Sequence, residues 1–117
     1  MNAMNNKEKG DLGEVIALKY LIKSGAEILE RNYKIKTGEI DIIAKVDNEL
    51  VFIEVKSRSN TRYGYPAEAV NYKKINKIYN VARYYMLMNH FNDVPIRFDV
   101  IEIYFNENKI NHIINAF

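Results

Sequence analysis

The stretch GEIDIIAKVDNELVFIEVKSR, residues 38–58, decides how this chain folds. It contains two runs in which β-branched residues recur with a period of two. Ile40, Ile42, Ala44 and Val46 share one face of the first run, and Val51, Ile53 and Val55 share one face of the second. That pattern predicts two strands, Gly38 to Val46 and Glu49 to Arg58. Asp47 and Asn48 between them tolerate φ > 0, which suits a short hairpin turn.

The turn sets the register. With Asp47 and Asn48 at its tip, Val46 faces Glu49, and paired residues have numbers adding to 95. A four-residue loop keeps this register, whereas a three-residue loop breaks it. Asp41 then lies opposite Glu54, and Glu39 opposite Lys56. Ile40, Ile42, Ile53 and Val55 are expected to serve the core, with Asp41, Glu54 and Lys56 on the other face.

Directly opposed residues project from the same face with Cβ atoms roughly 4.5–5.5 Å apart, so two carboxylates there repel. A shared proton would relieve the repulsion by raising one pKa. A divalent cation would also relieve it. Hard oxygen donors at that spacing suit Mg²⁺ or Mn²⁺, and neither a cysteine nor a nearby histidine argues for zinc. Lys56 follows Glu54 at i+2 and points the same way, where an ammonium can stabilise developing negative charge or help deprotonate a water. This is a constellation for phosphodiester hydrolysis. The competing reading is a solvent-facing hairpin with mixed charges, because an acid followed at i+2 by lysine is common.

Outward from the hairpin, residues Asn6 to about Ser24 read as a helix. Its stripe is Leu12, Val15, Ile16, Leu18 and Ile22, and Gly25 is a natural stop. Ala26 to Ile35 reads as an edge strand. After a polar loop, Ser59 to Tyr65, Pro66 suits the first position of a long helix reaching about His90. Val70, Ile75, Ile78, Ala82, Tyr85 and Met86 form its apolar stripe. Pro95 opens a strand, Ile96 to Phe105, and a turn at residues 106–109 leads to a last strand near Ile110 to Ile114. The expected fold class is α/β, a central mixed sheet flanked by helices in the order α-β-β-β-α-β-β. The 117 residues make one domain, with residues 1–9 as a mobile lead-in.

Composition narrows the function. Hydrophobic residues are 48% and charged residues 27%, as in a globular chain. The absence of cysteine excludes disulfides, thiolate metal sites and cysteine nucleophiles, and makes the cytoplasm the default compartment. The polar start MNAMNNKEKGDLGE has no signal-peptide core, and no apolar run is long enough to span a membrane. The net charge of +2 is small, but residues 54–83 hold seven basic side chains against two acidic ones. Such a surplus suits a polyanion such as DNA, or simply a solvated helix face.

Several segments together resemble a known family: GDLGE (10–14), RNY (31–33), GEIDIIA (38–44), LVFIEVKSR (50–58), YGYPAEAV (63–70), RFDVIEI (97–103) and INHIINAF (110–117). They resemble the YraN-like family of predicted endonucleases. Asp41…Glu54-Val-Lys56 is similar to the core of the wider PD-(D/E)XK, or restriction-endonuclease-like, superfamily, which includes archaeal Holliday junction resolvases. The resemblance implies a Mg²⁺- or Mn²⁺-dependent endonuclease acting on DNA, including branched or structured DNA. Asp41 and Glu54 would be metal ligands, the Val55 backbone carbonyl a further one, and Lys56 the catalytic lysine. Glu14 matches a helix acid that approaches the metal in resolvases, although read alone it is a solvated helix residue.

Arg58 and Arg62, flanking the loop after the Lys56 strand, are candidates for phosphate contact. Lys74 and Lys77, three apart on the long helix, are candidates for nucleic-acid binding, with plain solvation as the alternative. Glu39 reads better as a partner for Lys56 than as a third acid, and Asp99 better as the ion-pair partner of Arg97 than as a catalytic group. His90 and His112 look isolated. Cutting both strands of a duplex usually takes two active sites, which leaves room for a homodimer. A binding module of the same fold without turnover is the second hypothesis. A structural protein with an incidental charged hairpin is a third.

Overall fold

The computed structural model describes residues 4–59 and 71–117. Its elements are α1 (Asn6–Lys23), β1 (Glu27–Ile35), β2 (Gly38–Val46), β3 (Glu49–Arg58), α2 (Tyr72–Met88), β4 (Ile96–Tyr104) and β5 (Lys109–Ile113). The strands form one mixed sheet in the order β1-β2-β3-β4-β5. Only β3 and β4 pair in parallel, joined by the crossover that carries α2. The architecture is the expected α/β order with a mixed sheet.

The hairpin keeps its predicted register from Val46↔Glu49 to Ile42↔Ile53. Asp47 and Asn48 have φ of 53° and 83°, the left-handed turn these side chains tolerate. The expected split into one apolar and one charged face is corrected. Both faces are covered, so Val51, Phe52 and Ile53 are all buried. Ile43, Leu50 and Phe52 pack with Ile78, Val81, Ala82 and Tyr85 of α2. Ile42, Ala44, Val51 and Ile53 pack with Ala17 and Leu21 of α1. This is how a central strand flanked by two helix layers behaves. Ile40 joins the α2 cluster while Ile42 joins the α1 cluster, so the simple alternation fails at Asp41. In β1, register shifts between Ile28 and Glu30, a β-bulge.

The buried residues of α1 are Gly13, Ala17 and Leu21, not the larger side chains of the expected stripe. Leu12 and Ile22 are exposed. Small residues win because the helix lies close to the sheet: a Cβ at Gly13 would overlap the Ser57 hydroxyl. Asn5 and Glu8 form a capping box at the start of α1, so the chain is already helical within the expected lead-in. Gly25, at φ +97°, ends the helix as expected.

The helix α2 starts later than a Pro66 start implies. Asn71 caps it, its side chain accepting from the Lys74 N–H at 2.9 Å. Pro66 and Val70 lie outside the described residues. Among those residues no helix is long and apolar enough to cross a membrane.

Candidate functional site

Beyond Ile42↔Ile53 the β2–β3 ladder stops, and Asp41 follows at once. Its carboxyl takes the place of a strand partner, Oδ2 accepting from the Val55 N–H at 2.8 Å. Glu54 is on the α2 side of β3, in line with Leu50 and Phe52, and is 6% exposed. The Asp41 and Glu54 carboxyls are close enough to share a hydrogen bond. Burial, then the hydrogen bond and charge of Glu54, push the Asp41 carboxyl up to about 9, against the pull of the Val55 N–H. The two acids come together here, but not as the directly paired residues of the predicted register, because the ladder ends one pair earlier at Ile42↔Ile53.

Lysines complete the site. Lys74 reaches from the first turn of α2 to within 3.0 Å of Glu54 Oε2. Oε2 is buried, and this ion pair meets it in place of a hydrogen bond. Lys56 lies beside Lys74. Burial, then its hydrogen bond to and repulsion from the Lys74 ammonium, pull Lys56 down to about 8. For Lys74, burial acts to lower the pKa but is outweighed by the contacts with Lys56 and Glu54, and the net direction is upward. Lys74 thus holds the charge of the pair more firmly. A cleft of about 210 Å³ opens here, lined by Gly38, Glu39, Asp41, Glu54, Lys74, Lys77 and Ile78.

Other expected residues fall at different distances from this centre. Lys77 lines the cleft. Glu14 is half-buried, and its carboxyl is raised by burial first, then by Glu39, Asp11 and more weakly Glu54. It senses the site without joining the acid pair. Arg58 ends β3 and is felt by Lys56 as a nearby positive charge. Arg62 lies outside the described residues. Glu39 is not the partner of Lys56, because β2 and β3 have separated at that level; it pairs across β1 with Lys34 and is exposed.

The oxygen chemistry fits a hard divalent cation: two carboxylates face each other, and one buried oxygen has no hydrogen bond. Among the described residues no group of three or more acidic, histidine or cysteine side chains could hold a metal. Any such ion would rest on two carboxylates completed by backbone or solvent oxygens.

On the α1 side a separate polar cluster is buried. Asp99, fully buried, accepts from Arg97 Nε at 3.0 Å and from the Asn115 N–H at 3.1 Å. His112 Nε2 is 2.7 Å from Asp99 Oδ2, and His112 Nδ1 is 2.8 Å from the Tyr20 hydroxyl. Arg97 continues to Glu49 at 3.0 Å. Asp99 is the structural ion-pair partner of Arg97, as its spacing suggests, whereas His112 is not isolated. Its partners come from α1 and β4, which no local pattern could show.

Comparison with known proteins gives one consistent result. Residues 13–103 match the model of the uncharacterised protein family UPF0102. A UPF0102 protein of Clostridioides difficile is 61% identical over 114 residues, covering 97% of this chain and 100% of that protein. One from Caldanaerobacter subterraneus is 46% identical over 122 residues, covering all of both chains. A third, from Clostridium botulinum, is 50% identical over 117 residues, covering 96% of this chain and 95% of that protein. By the extent of these matches, the chain belongs to the uncharacterised protein family UPF0102.

Proposed function

We propose that this protein is a metal-dependent endonuclease that hydrolyses DNA phosphodiester bonds, with Mg²⁺ or Mn²⁺ at Asp41 and Glu54. The observation that carries the reading is the meeting of these two carboxyls with Lys74 in one cleft, with Lys56 beside Lys74. The resemblance of Asp41…Glu54-Val-Lys56 to the PD-(D/E)XK core supports it. The Val55 carbonyl is a third candidate oxygen. The Val55 N–H faces Asp41, and an extended residue turns its N–H and C=O toward the same neighbouring strand.

A bound divalent cation supplies Lewis-acid activation of the attacking water and neutralises charge on the phosphate. The residues of the chain do the rest. Asp41 and Glu54 would hold the cation as carboxylates, the Asp41 proton passing to solvent, because each would then have a positive partner. Lys56, with its pKa drawn down to about 8, can hold or pass a proton near neutral pH. Lys77 and Arg58 add positive charge along the route of a phosphate backbone.

The test is a panel of linear, single-stranded, flapped and four-way DNA, incubated with the protein and Mg²⁺ or Mn²⁺. Cleavage that disappears in Asp41→Ala, Glu54→Ala and Lys56→Ala is the expected outcome; cleavage that survives them overturns the assignment. A second reading, binding without turnover, is favoured by the two-carboxylate limit of the site among the described residues. It predicts salt-sensitive DNA binding, with a log–log slope of about 0.9 per phosphate contact, and no metal-dependent cleavage.

A further inference from the structure

Lys74 is oddly placed for a helix residue. It lies in the first turn of α2, which has no acidic residue and where the helix dipole disfavours cations. The Asn71 cap fixes its backbone. From there its side chain, 44% exposed, reaches into the cleft to a Glu54 side chain that is 7% exposed. The 3.0 Å contact is an ion pair made to an otherwise buried carboxylate oxygen. The Glu54 oxygen it approaches is buried and belongs to a carboxylate that the metal-site reading makes a ligand.

We propose that Lys74 is a built-in counter-cation for Glu54, which a divalent metal must displace, and that the displaced ammonium then serves the anionic substrate. The proposal rests on the metal-site reading above and assigns Lys74 a role beyond contact with DNA. The same carboxylate oxygen cannot hold both cations closely, since like charges a few ångströms apart repel strongly when partly buried. Lys74 therefore weakens metal binding to the free protein. Once displaced, it adds a positive charge at the cleft mouth beside Lys77. Metal entry and substrate capture are thereby coupled, with the metal setting the ammonium free.

The experiment is calorimetric titration of Mn²⁺, without DNA, into the full chain and into Lys74→Gln and Lys74→Arg. Thermal melting of each protein checks that it is folded. Lys74→Gln is expected to bind Mn²⁺ about tenfold more tightly than the unchanged protein, while Lys74→Arg keeps a weak affinity. If the unchanged protein binds Mn²⁺ through Asp41 and Glu54 but Lys74→Gln binds it equally or less well, the counter-cation role is wrong and the metal site stands. If neither binds Mn²⁺, the metal-site reading falls, and the counter-cation role falls with it.

Discussion

The Asp41 carboxylate accepts the backbone N–H of Val55 at 2.8 Å, just past the last rung of the β2–β3 ladder. One side chain thus does two jobs. It satisfies a strand N–H just past the last rung of the ladder, and it meets the carboxyl of Glu54. The acid pair is held by strand geometry rather than by a flexible loop.

The first expected consequence concerns pH. Asp41 ionises near 3.8 when unfolded and near 9 in the metal-free fold. Between these values the folded state holds a proton that the unfolded state has released, so stability falls as pH rises, by at most about 1.4 kcal/mol per pH unit. Above about pH 8 Lys56 acts the other way, because its folded pKa lies below the ordinary 10.5 and its loss of charge relieves the fold. Urea unfolding with chelator at pH 5 and pH 8 should show lower stability at pH 8. Asp41→Asn should flatten this slope, and Mn²⁺ should raise the pH 8 melting temperature of the unchanged protein only.

Asp99 is the buried hub of the polar cluster on the α1 side. Its carboxylate is held by His112, Arg97 and the Asn115 N–H. Burial pushes the carboxyl up, but these partners outweigh it and its pKa is lowered. Its contribution is therefore present above the ordinary carboxylate pKa and is lost as pH falls below it. Asp99→Ala removes the buried acceptor shared by Arg97, His112 and the Asn115 N–H, leaves Arg97 with Glu49 alone, and should cost about 3–5 kcal/mol in urea unfolding.

The close approach of α1 to β3 at Gly13 is testable by a double-mutant cycle. Gly13→Ala places a methyl group against the Ser57 hydroxyl and should cost about 1–3 kcal/mol. In a Ser57→Ala background the oxygen is gone, and the cost of Gly13→Ala should shrink by more than about 0.5 kcal/mol. Strict additivity would show that the two residues do not press on each other.

At the hairpin tip, Asn48 sits at φ 83° and Asp47 at φ 53°. Glycine takes such angles without steric cost, and Asp-Gly is a favoured pair for this turn. Asn48→Gly should leave the Asp41–Glu54 pair untouched and raise stability by about 0.5 kcal/mol, read as a higher melting temperature. A fall of similar size would mean that the Asn48 side chain has an unrecognised partner.

The legible parts of this fold are those determined by neighbours in sequence. The bounds of β2 and β3, the Asp47-Asn48 turn and the register from Val46↔Glu49 to Ile42↔Ile53 all follow from a single hairpin. The stop at Gly25 is equally local. The buried stripe of α1 is not legible from hydrophobicity, because its depth against the sheet selects Gly13 and Ala17 over Leu12 and Ile22. Lys74 is visible as a basic helix residue, but its reach to Glu54 depends on where the crossover sets α2. Tyr20, His112 and Asp99 come from three elements distant in sequence, and only the folded sheet brings them together. Glu39 fails as the partner of Lys56 because strand pairing was extended past the point where the strands part.

The bulge in β1 has a bearing on how copies of this protein meet. β1 is the outer strand on its side of the sheet, and its free backbone groups could recruit a strand from a second molecule. The bulge between Ile28 and Glu30 interrupts any straight template, and Asn32 at φ 50° interrupts it again. Glu27, Arg31 and Lys34 place exposed charges along the same strand. At the opposite margin β5 has only five residues. Both margins therefore disfavour sheet-to-sheet association, and any pairing of two copies would be expected through helix or loop surfaces, leaving each five-stranded sheet closed to the other.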